Sequence, residues 1–212
     1  DVVMVSIGIK DWGAIGPRDD YRSFSYGAGI PQYVVDETIA VPFNDAPAME
    51  ARLERLIEEG RKPACLIMEP AMMNLGVVLP EPGYLQAVRD ITRKHGIVLI
   101  FDEVKTGICT APGGAVERWG VVPDMVTLAK ALGAGLPSGA IGGSEEVMEM
   151  VNDGTVFQVG TYAGNPLSMA AARVSIEEVM TPAAYEHLDY LNDRLIKECD
   201  DICAEYNFPG YT

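Results

Sequence analysis

The sequence predicts an α/β fold, a mostly parallel sheet flanked by helices. Three observations predict it. Residues 64–69, 97–102 and 125–130 are apolar runs, each ending on a charged residue. None of the three alternates apolar with polar positions, as expected of strands covered on both faces. Helix-period stretches, with apolar residues at spacings of three and four, accompany them along the chain.

Residues 1–46 are rich in glycine and proline and read as loop, with one short strand possible within residues 1–9. Met49, Leu53, Leu56 and Ile57 then mark a helix over 47–60, with Gly60 at its C-terminal end. The first apolar run, 64–69, reads as a strand ending at Glu69, with Cys65 in the core. A second helix spans 83–95, with Leu85, Val88 and Ile91 on one stripe. It closes on Arg93-Lys94-His95-Gly96, cations in the last turn followed by glycine. Strands over 97–102 and 125–129 follow, and 140–143 reads as a short fourth. Ser144 caps a helix over 144–151. Asn165-Pro166 opens another that runs to about Met180. Residues 183–204 form a long amphipathic helix built on Tyr185, Leu188, Leu191, Leu195 and Ile202.

Of 212 residues, 48% are apolar and 22% charged, enough for one large core. The 31 acidic against 16 basic residues give a net charge of −15, which argues against nucleic acid or an anionic membrane as partner and reads as solubility. No run approaches the ~20 apolar residues of a membrane span. Cys65, Cys109, Cys199 and Cys203 form no C-x-x-C pair, and with only His95 and His187 beside them no metal site is expected. Cys199 and Cys203 share a helix face. A reducing cytoplasm fits. The chain starts at Asp1 without methionine and stops at Thr212, which reads as a piece of a longer polypeptide.

Ligands of parallel α/β sheets bind beyond the carboxyl ends of the strands. Glu69, Asp102 and Lys130 stand at three such ends. Lys130 is the single charged residue between Met125 and Ile141, and small residues with several glycines follow it. Such surroundings would desolvate the amine, lower its pKa and make it nucleophilic toward a carbonyl. The competing reading is a lysine snorkelling at a sheet edge. A carboxylate at Asp102 can keep a pyridinium nitrogen protonated, or cap a following helix. Gly160-Thr-Tyr-Ala-Gly-Asn-Pro166 offers a hydroxyl and backbone N–H groups for a phosphate, or simply caps the helix after it. A nicotinamide-binding reading fails for want of a G-x-G-x-x-G after the first strand.

Four segments carry a resemblance. Phe101-Asp-Glu-Val-Lys-Thr-Gly107, Pro123-Asp-Met-Val-Thr-Leu-Ala-Lys130, Gly135-Leu-Pro-Ser-Gly-Ala140 and Gly160-Thr-Tyr-Ala-Gly-Asn-Pro166 resemble the class III aminotransferases dependent on pyridoxal 5′-phosphate (PLP). The similarity is to the branch of glutamate-1-semialdehyde aminomutases and β-amino-acid transaminases. Met68-Glu-Pro70 and Glu81-Pro-Gly-Tyr-Leu85 fit the same pattern. The resemblance implies the large domain of the fold-type I architecture and a homodimer with shared active sites. It implies Lys130 as the Schiff-base lysine and proton carrier, Asp102 on the pyridine nitrogen and Val104 on one ring face. Thr161 would contact the phosphate, from the neighbouring subunit, while Glu69 and Asn74 would lie near the site. Lys105, where related enzymes often carry glutamine or methionine, and Cys109, where many carry arginine, depart from the pattern and bear on substrate preference. A phosphate cup and a ring-stacking aromatic would precede Asp1, and a small domain would follow Thr212.

The resemblance divides the chain into a loop-rich segment (1–46), a PLP-binding core (47–182) and a long helix toward the small domain (183–212). The implied reaction moves an amino group between an amino acid or amine and a keto or aldehyde acceptor. Two alternatives stand beside it: an intramolecular aminomutase acting on glutamate 1-semialdehyde, and a catalytically incomplete fragment with no activity alone.

Overall fold

A computed structural model describes residues 12–74 and 76–210. The short strand expected within residues 1–9 lies outside the described residues. Four strands, β1 (Cys65–Met68), β2 (Val98–Asp102), β3 (Met125–Leu128) and β4 (Ala140–Gly143), stand in the order β1-β2-β3-β4. β2 and β3 are parallel, with Asp102 opposite Thr127, and β4 runs antiparallel to β3. The chain divides into two compact units. One holds the residues up to Ile67 together with Val78–Leu99, the other Met68–Val77 and everything from Ile100 on.

In the first unit, α1 (Gln32–Asp36) is a short helix, and α2 (Ala46–Glu58) packs against α3 (Tyr84–His95). α2 begins one residue before its expected start because Asp45 caps it, accepting from the Ala48 N–H at 3.1 Å while Arg18 pairs with it at 2.6 Å. Met49, Leu53 and Leu56 on α2 and Leu85, Val88 and Ile91 on α3 are buried. The Phe43 ring meets Tyr84 edge-on at 5.0 Å. α3 ends where expected and starts one residue later than expected, because Gly83 takes the left-handed conformation before it. Gly96 takes the left-handed conformation at its C-terminus (φ +60°) and its N–H returns to the last turn. The Val98 N–H then donates to the Ala64 carbonyl at 3.1 Å, which starts β2 alongside the segment leading into β1.

The second unit contains the carboxyl ends of β1 and β2, all of β3 and β4, and helices α4 (Gly107–Thr110), α5 (Gly114–Trp119), α6 (Glu145–Asn152), α7 (Pro166–Val174) and α8 (Pro182–Glu205). α4 and α5 carry no helix-period signal, since four and six residues are too few to show one. The single helix expected from Asn165 to about Met180 ends at Val174 and continues as a π turn over Ser175–Val179. Thr181 precedes a proline, which disfavours helical backbone there, and it caps α8 instead. No helix among the described residues is long and apolar enough to cross a membrane.

Two sequence expectations are corrected. Cys65 is exposed, not core, and Ile67 is exposed on the same alternation. Nor is every strand buried on both faces: β2 alternates buried Leu99 and Phe101 with half-buried residues, β3 is half-buried throughout and β4 is mostly exposed. An apolar run fixes that a strand can be covered on both faces, whereas the elements packed on it decide which faces are.

Candidate active site

All six candidate residues belong to the second unit. Asp102 is the last residue of β2 and is half-buried. Its Oδ1 accepts from the Val104 N–H at 3.0 Å and from Thr127 Oγ1, on the neighbouring strand, at 3.4 Å. The carboxylate is thus held both by the turn that follows and by β3. Val104 is half-buried within that turn.

Glu69 follows β1 and organises the loop beside it. Its Oε2 accepts from the Met73 N–H at 2.8 Å and its Oε1 from Asn74 Nδ2 at 2.9 Å. Lys105 Nζ donates to the Met73 carbonyl at 3.2 Å, so the loops after β1 and β2 are joined. Glu69 and Asn74 are therefore direct partners, and Lys105 is fastened to the same loop.

Lys130 lies two residues beyond β3 and opens a 3-10 turn, Lys130–Gly133. β3 is the parallel neighbour of β2, so Lys130 and Asp102 come from adjacent strand ends. The sequence expectation of a desolvated lysine is corrected: Lys130 is exposed, with φ +48°. The small residues that follow it continue that turn, which packs against α4 and α7, and run on into a loop. In that loop Gly133 approaches Ser138 so closely that a Cβ would stand 2.5 Å from Ser138 Oγ.

Thr161 sits exposed in a turn closed by the Ala163 N–H on the Gly160 carbonyl. The capping role falls to Asn165, whose Oδ1 accepts from Leu167 and Ser168 N–H groups. Ser168 Oγ donates to the Pro137 carbonyl at 3.0 Å, which ties α7 to the loop after Lys130. Among the described residues, hydrogen bonds link Glu69 with Asn74 and Asp102 with Val104; Lys130 and Thr161 take part in neither pair.

Sequence reasoning assigned no role to Glu103, which is only 3% exposed. Its Oε2 accepts from the Ala115 N–H at 2.6 Å and Thr106 Oγ1 at 3.4 Å, and burial raises its carboxyl pKa above the usual value against the pull of those hydrogen bonds. The signal was present as a charged residue directly after an apolar strand with paired glycines, Gly113 and Gly114, ten residues on.

Elsewhere, in the first unit, Glu50, Glu54 and His95 bring potential ligand atoms within 4.8 Å of one another. Lys94 Nζ lies 2.7 Å from Glu50 and 3.5 Å from Glu54 and already balances their charge.

Residues 18–211 match the aminotransferase class-III family. This chain belongs to that family. Among curated relatives, it is 43% identical over 182 residues to a glutamate-1-semialdehyde 2,1-aminomutase 2 of Brevibacillus brevis, an overlap that covers 85% of this chain and 42% of that protein. The chain thus spans about two-fifths of the length of the curated relatives it matches. Among solved structures it resembles an omega-transaminase from Sphaerobacter thermophilus, with TM-score 0.84 and 34% identity over 91% of this chain and 44% of that one. A glutamate-1-semialdehyde-aminomutase from Pseudomonas aeruginosa PAO1 in complex with PMP gives TM-score 0.74 and 31% identity over 89% and 43% of the two chains. The α/β architecture with a mostly parallel sheet is that of this class-III aminotransferase fold.

Proposed function

We propose that this protein is a PLP-dependent enzyme that transfers an amino group between an amino acid or amine and a keto or aldehyde acceptor. The observation that carries the reading is the pairing of strand ends: a carboxylate fixed at the end of β2 and an amine just past the end of its parallel neighbour β3. The donor set fits the cofactor. Asp102 supplies an anchored acceptor for a pyridine N–H, Lys130 a primary amine for an aldehyde, and the turn at Thr161 a hydroxyl for a phosphate.

When bound, PLP draws electrons from the bonds at the substrate carbon. Asp102 would hold the pyridine nitrogen protonated. Val104 would pack against a ring face. Lys130 Nζ would hold the aldehyde carbon until the amino group of the substrate displaces it, and the freed amine would then move a proton to and from the substrate carbon as general base and acid. Glu69 and Asn74 would shape the rim of the site through the loop they organise.

The reading extends to a homodimer in a reducing cytoplasm. In favour of the first, Phe157 and Tyr162, which precede and follow Thr161 in the chain, are both 83% exposed, large rings that a second copy would cover. In favour of the second, the four cysteines carry free thiols.

A second reading, an intramolecular aminomutase, is favoured by the names of the curated relatives. Assay of the purified protein with and without a keto acid acceptor separates the two, since an aminomutase needs none. The primary test is borohydride reduction in the presence of PLP. Covalent label is expected on the Lys130 peptide and lost in Lys130→Ala. Label elsewhere, or none, would refute the role of Lys130.

A further inference from the structure

We propose that Glu103 is a positioning residue, a buried anchor that fixes the turn carrying Asp102 and Val104 and so sets the strength with which the site holds its cofactor. The proposal rests on the PLP reading above.

Glu103 lies between the two candidate residues and is held in four directions. Its N–H donates to the Thr127 carbonyl of β3 at 3.0 Å, and its carbonyl accepts from the Gly107 N–H at 2.8 Å. Its carboxylate leaves the strand and accepts from Ala115 at the start of α5, at 2.6 Å, and from Thr106. Thr106 and Ala115 are themselves buried, so neither has water as a substitute partner. One side chain thus binds the end of β2 to a helix twelve residues further along the chain.

The contact shapes the sequence around it. A Cβ on Gly114 would stand 2.4 Å from Glu103 Oε2, and Gly114 has φ +61°. Only glycine allows both that backbone and that approach. Asp102 depends on the same turn, because its Oδ1 is held by the Val104 N–H, one residue past Glu103. Letting go of Glu103 frees the Val104 amide to move and, with it, the Asp102 carboxylate. Glu103 itself faces Ala115 and Thr106 and is shut off from solvent, so it acts through its neighbours. The raised proton affinity of its carboxyl, caused by burial, agrees with that dry setting.

The test compares wild type, Glu103→Asp, Glu103→Ala and Glu103→Gln in the complete protein. It reads PLP dissociation and the pH titration of the bound cofactor's absorbance, with thermal unfolding as a check on the fold. Glu103→Asp withdraws the carboxylate by one methylene and should weaken PLP binding about tenfold and shift the titration. Glu103→Ala should do at least as much where it folds. Glu103→Gln keeps an acceptor for the Ala115 N–H and should stay within about threefold of wild type. A folded Glu103→Asp protein with unchanged PLP affinity and titration overturns the positioning role. A Glu103→Gln protein as impaired as Glu103→Asp also overturns it. A wild type that takes up no PLP overturns the functional reading, and the positioning role with it.

Discussion

Gly114→Ala tests the packing around Glu103 without touching a charged group. The new Cβ would lie 2.4 Å from Glu103 Oε2 and 3.2 Å from its Cδ, well inside contact distance, so the carboxylate must withdraw. Two costs then add. Alanine in the left-handed region at φ +61° costs roughly 1–2 kcal/mol. Loss of the hydrogen bond from the buried Ala115 N–H costs roughly 1–3 kcal/mol. The lower entropy of the unfolded alanine chain offsets roughly 0.4–1 kcal/mol. The net loss should be about 1–5 kcal/mol, read as a lowered urea midpoint at unchanged slope. The decisive comparison is a double-mutant cycle with Glu103→Ala. If the clash is with the carboxylate, Gly114→Ala in that background should cost only its backbone share, leaving a coupling of about 1–3 kcal/mol. Strict additivity, or a single-mutant loss below about 1 kcal/mol, would refute the contact.

Leu99 is fully buried in β2, and Leu99→Ala should lower stability by about 2–5 kcal/mol in the same urea assay; a loss under 1 kcal/mol would mean that the strand is not packed as described. Asp45 caps α2 and is bonded by Arg18, which lowers its carboxyl pKa first of all causes. A lowered folded-state value means the contribution is present above the unfolded-state pKa and lost as pH falls through the lowered one. Asp45→Ala should therefore lower thermal stability at neutral pH and reduce its fall on acidification, and an acid limb as steep as that of wild type would count against the pairing.

Much of the fold can be read from local chemistry. α3 shows how. Leu85, Val88 and Ile91 give its buried stripe, Arg93, Lys94 and His95 its last turn, and Gly96 its stop, so its C-terminal end follows from the residues themselves. The end of β2 at Asp102 could be read in the same way, because an apolar run that stops at an acid stops where the strand meets a polar environment, whereas β3 ends at Leu128, two residues before the lysine that closes its run. α4 and α5 escaped because short helices among glycines are held by contacts with other elements. The exposure of Cys65 escaped because a run that is apolar on both faces carries no mark of which face is covered.

For the candidate site, the order of residues along the chain determined the chemistry on offer: a carboxylate at Asp102, an amine at Lys130 and a hydroxyl at Thr161, each beside a strand end or a helix start. Residue type and local backbone preference are enough to state that much. Only the tertiary structure decided the register that sets Asp102 opposite Thr127, that Glu69 and Lys105 join two loops through Met73, that Lys130 stands in solvent, and that Glu103 is buried against Ala115. The physical reason is common to all four. Burial and hydrogen-bond partners depend on groups far apart in sequence, such as Ala115 for Glu103, and no local pattern records which distant group will arrive.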